Sequence, residues 1–92
     1  MAYHMKSPRF LLGNVVATPG VLSLGLDLNR YLQSHHCGDW GDLCNEDKEL
    51  NEAALATSER LMSCSQVGDG KRIYIITEAN RSVTTVLLPE EY

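Results

Sequence analysis

The feature that most restricts the fold is a change of residue period near position 60. Beyond it the chain reads as three β-prone runs, Arg60–Val67, Lys71–Thr77 and Ser82–Leu88, divided by two short turn sequences. Lys71–Thr77 (KRIYIIT) is the strongest strand signal in the chain, β-branched and aromatic almost throughout. Gly68-Asp69-Gly70 suits a tight hairpin turn. Glu78-Ala79-Asn80-Arg81 supplies a second turn, with Asn80 expected in the left-handed region, and Pro89 closes the last run. Three strands joined by two tight turns predict an antiparallel meander.

Helices are expected before the meander. Thr18-Pro19-Gly20 is a helix start, because threonine can cap and proline suits the first helical position. The helix is brief, about Val21 to Leu24, and Gly25 ends it. Asp27 offers a second N-cap. Leu28, Tyr31, Leu32 and His35 then recur at helical spacing on one face, until Gly38 stops the run. Asn45-Glu46-Asp47 places a capping residue and two acids where the helix dipole favours them, opening a third helix to about Ser58. Leu43, Asp47, Leu50 and Ala54 are expected on one side of it, with Glu49, Glu52 and Glu59 turned to water.

The expected class is therefore α+β: two or three short N-terminal helices packed on a C-terminal three-stranded antiparallel meander. Phe10–Ala17 fits a short strand added to that sheet, or an extended lead-in. Residues 1–9 read as a leader or a join left by cloning, and residues 10–92 as a single small domain.

Composition narrows the function classes. A chain of 92 residues buries only about two-thirds of its unfolded surface, so a second subunit is one way to add buried area. Eight basic residues against twelve acidic ones give a net charge of −4, and Lys71–Arg72 is the only adjacent basic pair. That balance argues against nucleic-acid binding, which relies on clustered Lys and Arg at phosphates. No apolar run approaches the roughly 18–20 residues of a membrane span. Three cysteines without a secretory signal read as reduced thiols in a cytoplasm.

Three stretches, VVATPGVLSL, HHCGDWGDLCNEDKELNEAAL and IYIITEANRSVTTVLLPEEY, together resemble a family of short bacterial proteins carried on plasmids, integrative elements and other mobile DNA. The resemblance spans Gly13 to Tyr92. It rests on His35-His36-Cys37-Gly38-Asp39-Trp40-Gly41, which matches the family's His-x-x-Gly-Asp-Trp-Gly segment, and on the strand–turn–strand Ile75–Tyr92. The chain departs from the pattern at Leu24-Gly25-Leu26-Asp27, where relatives have a longer first helix and linker, and in its three cysteines. Members are often labelled as a subunit of type I restriction enzymes. A methyltransferase subunit needs a much larger nucleotide-binding domain with a glycine-rich cofactor loop, and this sequence contains neither. The resemblance implies a small accessory protein of mobile DNA.

Four constellations carry possible chemistry. His35, His36, Cys37, Cys44 and Cys64 include metal-ligand types, but their spacing matches no zinc template, and adjacent helical residues diverge by about 100°. No metal or cofactor is therefore expected. His36, Arg72 and Thr85 are the set a metal-independent toxin-type ribonuclease would use, as base, phosphorane stabiliser and hydroxyl. Asp39 and Trp40, in a glycine-flanked loop, and Tyr74 are candidate binding residues, for a protein or for a small ligand held near Trp40 and Tyr74. The competing reading of Trp40 is a core plug, with Asp39 and Asp42 capping nearby amides. Thr84 and Thr85 point to opposite sheet faces, so only one can serve any site. The leading expectation is a non-catalytic protein-interaction module, acting on an unidentified protein or on a second copy of itself as a homodimer.

Overall fold

The three C-terminal runs form the strands that their period requires. In the computed structural model, which describes residues 7–92, they are β2 (Leu61–Gln66), β3 (Arg72–Thr77) and β4 (Val83–Leu87). Both β2–β3 and β3–β4 pair antiparallel. The sheet is larger than the meander alone. A fourth strand, β1 (Asn14–Ala17), lies parallel to β4, giving a mixed sheet in the order β1-β4-β3-β2. The connection from β1 to β4 runs through all three helices and then β2 and β3, so this parallel pairing is a long-range partnership that local periodicity does not encode. The edges are therefore β1 and β2, and the last strand is internal.

The helices are α1 (Pro19–Leu22), α2 (Asn29–His36) and α3 (Asn45–Thr57), and a 3₁₀ turn at Pro89–Glu91 follows β4. Thr18 caps α1 as expected, accepting from the Val21 amide, with Pro19 at the first position. Its hydroxyl also donates to Glu91 at 2.6 Å, fastening the end of β1 to the 3₁₀ turn. On one face of the sheet, Ile73, Ile75 and Val86 pack with Val21 and Val67, and Tyr31 and Leu32 of α2 cover them. Trp40, Ala54 and Leu61 form a second cluster, joined by Phe10, Leu43 and Leu55.

Two local expectations fail for identifiable reasons. Leu50 is 68% exposed, because α3 turns Asn51 and Ala54 inward instead. Asn51 has a task no leucine can perform: its amide nitrogen donates to the Met62 carbonyl at 2.6 Å and its oxygen accepts from the Met62 amide at 3.1 Å. In the β3–β4 turn the left-handed residue is Arg81, not Asn80. The Asn80 side chain accepts from the Ser82 amide instead, and Arg81 reaches back to the Glu59 and Ala54 carbonyls.

The β2 edge is closed at Met62 and Cys64. Beside Asn51, the loop after α2 runs parallel to the strand: Cys64 donates to the Trp40 carbonyl and Asp42 donates to the Cys64 carbonyl. Gly41 sits between them at φ +73°, and a Cβ there would collide with the Cys64 carbonyl. This accounts for the second glycine of Gly38-Asp39-Trp40-Gly41.

Replacing Asn51 with alanine removes both bonds to Met62 and leaves two backbone groups unmatched at the edge. The expected loss is about 2–3 kcal/mol, read as a lowered urea midpoint with an unchanged slope.

Candidate functional site

A buried polar chain crosses the sheet. The last turn of α2 places His35 against the face that carries Ser63, Thr77 and Thr84, and all four are essentially inaccessible. His35 Nδ1 lies 2.7 Å from Ser63 Oγ, and Nε2 lies 2.9 Å from Thr77 Oγ1. Thr77 Oγ1 lies 2.7 Å from Thr84 Oγ1, which donates to the Leu12 carbonyl at 2.8 Å. The far end sets the direction of every bond. A carbonyl can only accept, so Thr84 spends its proton there and must accept from Thr77. Thr77 then accepts from His35 Nε2–H, and the bare Nδ1 accepts from the Ser63 hydroxyl. His35 is thus the neutral Nε2–H tautomer. Burial pulls its pKa down to about 3, with His36 adding a smaller push in the same direction.

Around His35 lies an aromatic cluster. Phe10 stacks on Trp40 at 6.1 Å, and both rings meet the His35 imidazole edge-on. Trp40 is buried, and its indole N–H donates to Glu52 at 2.8 Å. Arg9 completes the contact with a two-pronged bond to the same carboxylate at 2.7 and 2.8 Å. The hydrogen bonds from Arg9 and then Trp40 hold the Glu52 carboxyl below the usual carboxylate range. Arg9, assigned by sequence to the leader, also donates its amide to the His36 carbonyl. Residues 1–6 of that leader lie outside the described residues.

No family model, curated protein or solved structure matches the chain. Its chemistry is therefore judged on its own geometry. Ser63 and His35 have the separation of a nucleophile–base pair, but neither is open to a substrate, and the hydroxyl is committed to Nδ1. Burial likewise pushes the Cys64 thiol up, away from the thiolate that would react. Among the described residues there is no group of three or more His, Cys, Asp or Glu able to hold a metal ion.

The residues singled out for a ribonuclease are not brought together. His36 lies on α2, against the edge of Phe10. Arg72 opens β3 and lines a depression with Leu24, Lys71, Leu88 and Glu90. Thr85 lines a different one, with Arg60, Ile76, Glu78, Leu87 and Tyr92. Thr85 pairs with Ile76, four residues along β3 from Arg72, a span of about 13 Å. The binding candidates also separate. Asp39 accepts from the Gly41 amide and borders a polar depression with Arg30, Tyr31 and Asp42. Trp40 is on the helix side, whereas Tyr74 alternates with Ile73 and Ile75 and so faces the other way, edge-on to Tyr92 at 6.0 Å.

His35 is the functional-looking residue that sequence reasoning passed over in favour of its neighbour. The signal was present: it occupies the i+7 position of the apolar face that begins at Leu28. A histidine in that position needs partners inside, and Ser63 and Thr77 sit on the inward side of their strands.

The His35 pKa has a thermodynamic consequence with a definite sign. The unfolded imidazole titrates near 6.5 and the folded one near 3, so the unfolded chain binds the extra proton. Stability is full above pH 6.5 and falls as pH drops through that value toward 3. Between pH 7 and pH 5 the expected loss is about 2 kcal/mol. Chemical denaturation at the two pH values measures it, and His35→Gln should lower stability at both while removing most of the difference.

Proposed function

We propose that this chain is a non-catalytic protein-interaction module that presents the sheet face opposite α1 and α2 to a protein partner. The observation that carries the reading is the inequality of the two faces. One is filled by α1 and α2. The other bears Met62, Tyr74, Ile76, Thr85 and Leu87, and among the described residues it is overlaid by the short Pro89–Glu91 turn and Tyr92, which lies against Tyr74, and by no α-helix of the kind that fills the first face. Ile76 and Leu87 floor a shallow depression of about 280 Å³, rimmed by the Arg60–Glu78 ion pair and by Tyr92. Tyrosine and arginine around an apolar floor is a composition that anchors protein partners. The occupant that fits is an apolar side chain flanked by polar groups that can meet Arg60 and Glu78.

The alternatives are less well supported. A ribonuclease would need His36 beside Arg72 and Thr85. A small-ligand protein would need an enclosed pocket, and the depressions at Asp39, Leu24, Arg72 and Thr85 hold about 240–320 Å³ each, at the bottom of the ligand range. No helix among the described residues is long and apolar enough to cross a membrane. In this reading the protein works in the cytoplasm as an accessory of mobile DNA, the setting its sequence resemblance implies.

A photoreactive phenylalanine analogue at Tyr92 tests the reading, with the same group at Leu50 on the outer side of α3 as the control. The expected result is one discrete cross-linked protein from Tyr92, absent from Leu50, and lost on Thr85→Arg with melting unchanged. RNA cross-linked or cleaved in a manner that His36→Ala abolishes would overturn the reading, as would identical patterns from both positions.

A further inference from the structure

The two edges of the sheet are treated in opposite ways. β2 is closed at Met62 by Asn51 and at Cys64 by the Trp40-Gly41-Asp42 loop, whereas among the described residues β1 has only β4 beside it. The amides of Asn14 and Thr18 donate to Ser82 and Val86, which sets the alternation of the parallel ladder. The N–H and C=O groups of Val15 and Ala17 therefore point away from β4, along the open edge. Natural edges are commonly guarded by lysine, proline or a bulge, and Asn14-Val15-Val16-Ala17 has none of these.

Two further observations mark the same place. Four exposed large hydrophobic residues lie in this short stretch of chain: Leu11 at 74%, Val15 at 45%, Val16 at 47% and Leu22 at 65%. No charged residue occurs between Arg9 and Asp27. Two copies of a chain with net charge −4 repel each other over most of their surface, and this neutral segment is where they can approach without opposing like charges.

We propose that β1 is a self-association edge, at which two copies pair antiparallel about a two-fold axis and join their sheets into one of eight strands. The outward groups select the register. Val15 exchanges both backbone bonds with Ala17 of the partner subunit, Ala17 does the same with the partner's Val15, and the two Val16 side chains meet across the axis. That arrangement makes four backbone hydrogen bonds. It stops at both ends, because the next outward position toward the C-terminus is Pro19, which has no N–H to give. A ladder this short, with Leu11 and Leu22 at its margins, falls at the small end of specific interfaces. The dimer is accordingly a concentration-dependent one. This inference is independent of the partner assigned to the sheet face.

Sedimentation equilibrium of the full chain over a concentration series tests it. The expected mass rises from 10.2 kDa toward twice that value. Val16→Lys, which sets two ammonium groups against each other at the axis, should stay monomeric with an unchanged melting temperature. Val16→Cys should form an intermolecular disulfide on oxidation, mapped by peptide analysis to residue 16 of both copies, while Val15→Cys should not link to itself. Opposed non-hydrogen-bonded positions lie within disulfide reach, which makes the pair diagnostic of register. A monomer at every concentration overturns the proposal. So does a dimer that Val16→Lys leaves intact, or a Val16→Cys chain that links to other proteins and not to itself.

Discussion

The hydrogen-bond chain from Ser63 through His35, Thr77 and Thr84 to the Leu12 carbonyl is the constraint on which the remainder depends. It touches α2, β2, β3, β4 and the segment that leads into β1, and every donor has one acceptor. Apolar contacts hold the helix layer to the sheet without dictating where along it α2 must lie. The chain supplies that registration, since a shift of α2 by one residue would leave a buried imidazole without partners and take from the Ser63 and Thr77 hydroxyls the ring nitrogens they bond. Its cost is the enforced neutrality of His35, which makes the fold intolerant of acid well above the range in which carboxylates lose their charge.

Trp40 shows how the same demand for satisfied polar groups extends outward. Its ring fills the second hydrophobic cluster and its N–H finds Glu52, which then takes Arg9. The backbone of the same loop closes the β2 edge at Cys64. One short glycine-flanked segment thus packs the core, closes an edge strand at Cys64 and ties the N-terminal segment to α3. A surface recognition loop would leave those tasks undone, so the glycines and the indole are explained by architecture. The features left without an internal task are the far face of the sheet and the outer side of β1.

Much of this was legible in the residues. The period change at residue 60 carried the meander, Thr18-Pro19 carried the start of α1, and the Leu28–His35 spacing carried the inward face of α2. Three features were not legible, for different reasons. The parallel union of β1 with β4 joins distant segments, and no local pattern encodes it. The inward turn of Asn51 defeats a hydrophobicity rule, because the side chain serves as a surrogate strand for Met62. Arg81 takes the left-handed turn position that Asn80 would occupy by propensity, held there by bonds to carbonyls that a propensity scale does not see.

The pairing of β1 with β4 has one more consequence. Thr84 reaches the Leu12 carbonyl across 72 positions of chain, and Thr18 reaches Glu91 across 73. Closing a loop of that size costs entropy before any ladder forms, and proteins rich in such distant partnerships fold slowly. During synthesis β1 leaves the ribosome long before the strand that shelters its inner side exists. For that interval an uncharged, valine-bearing segment is exposed on a nascent chain, so the hazard of premature association is greatest before the sheet is complete.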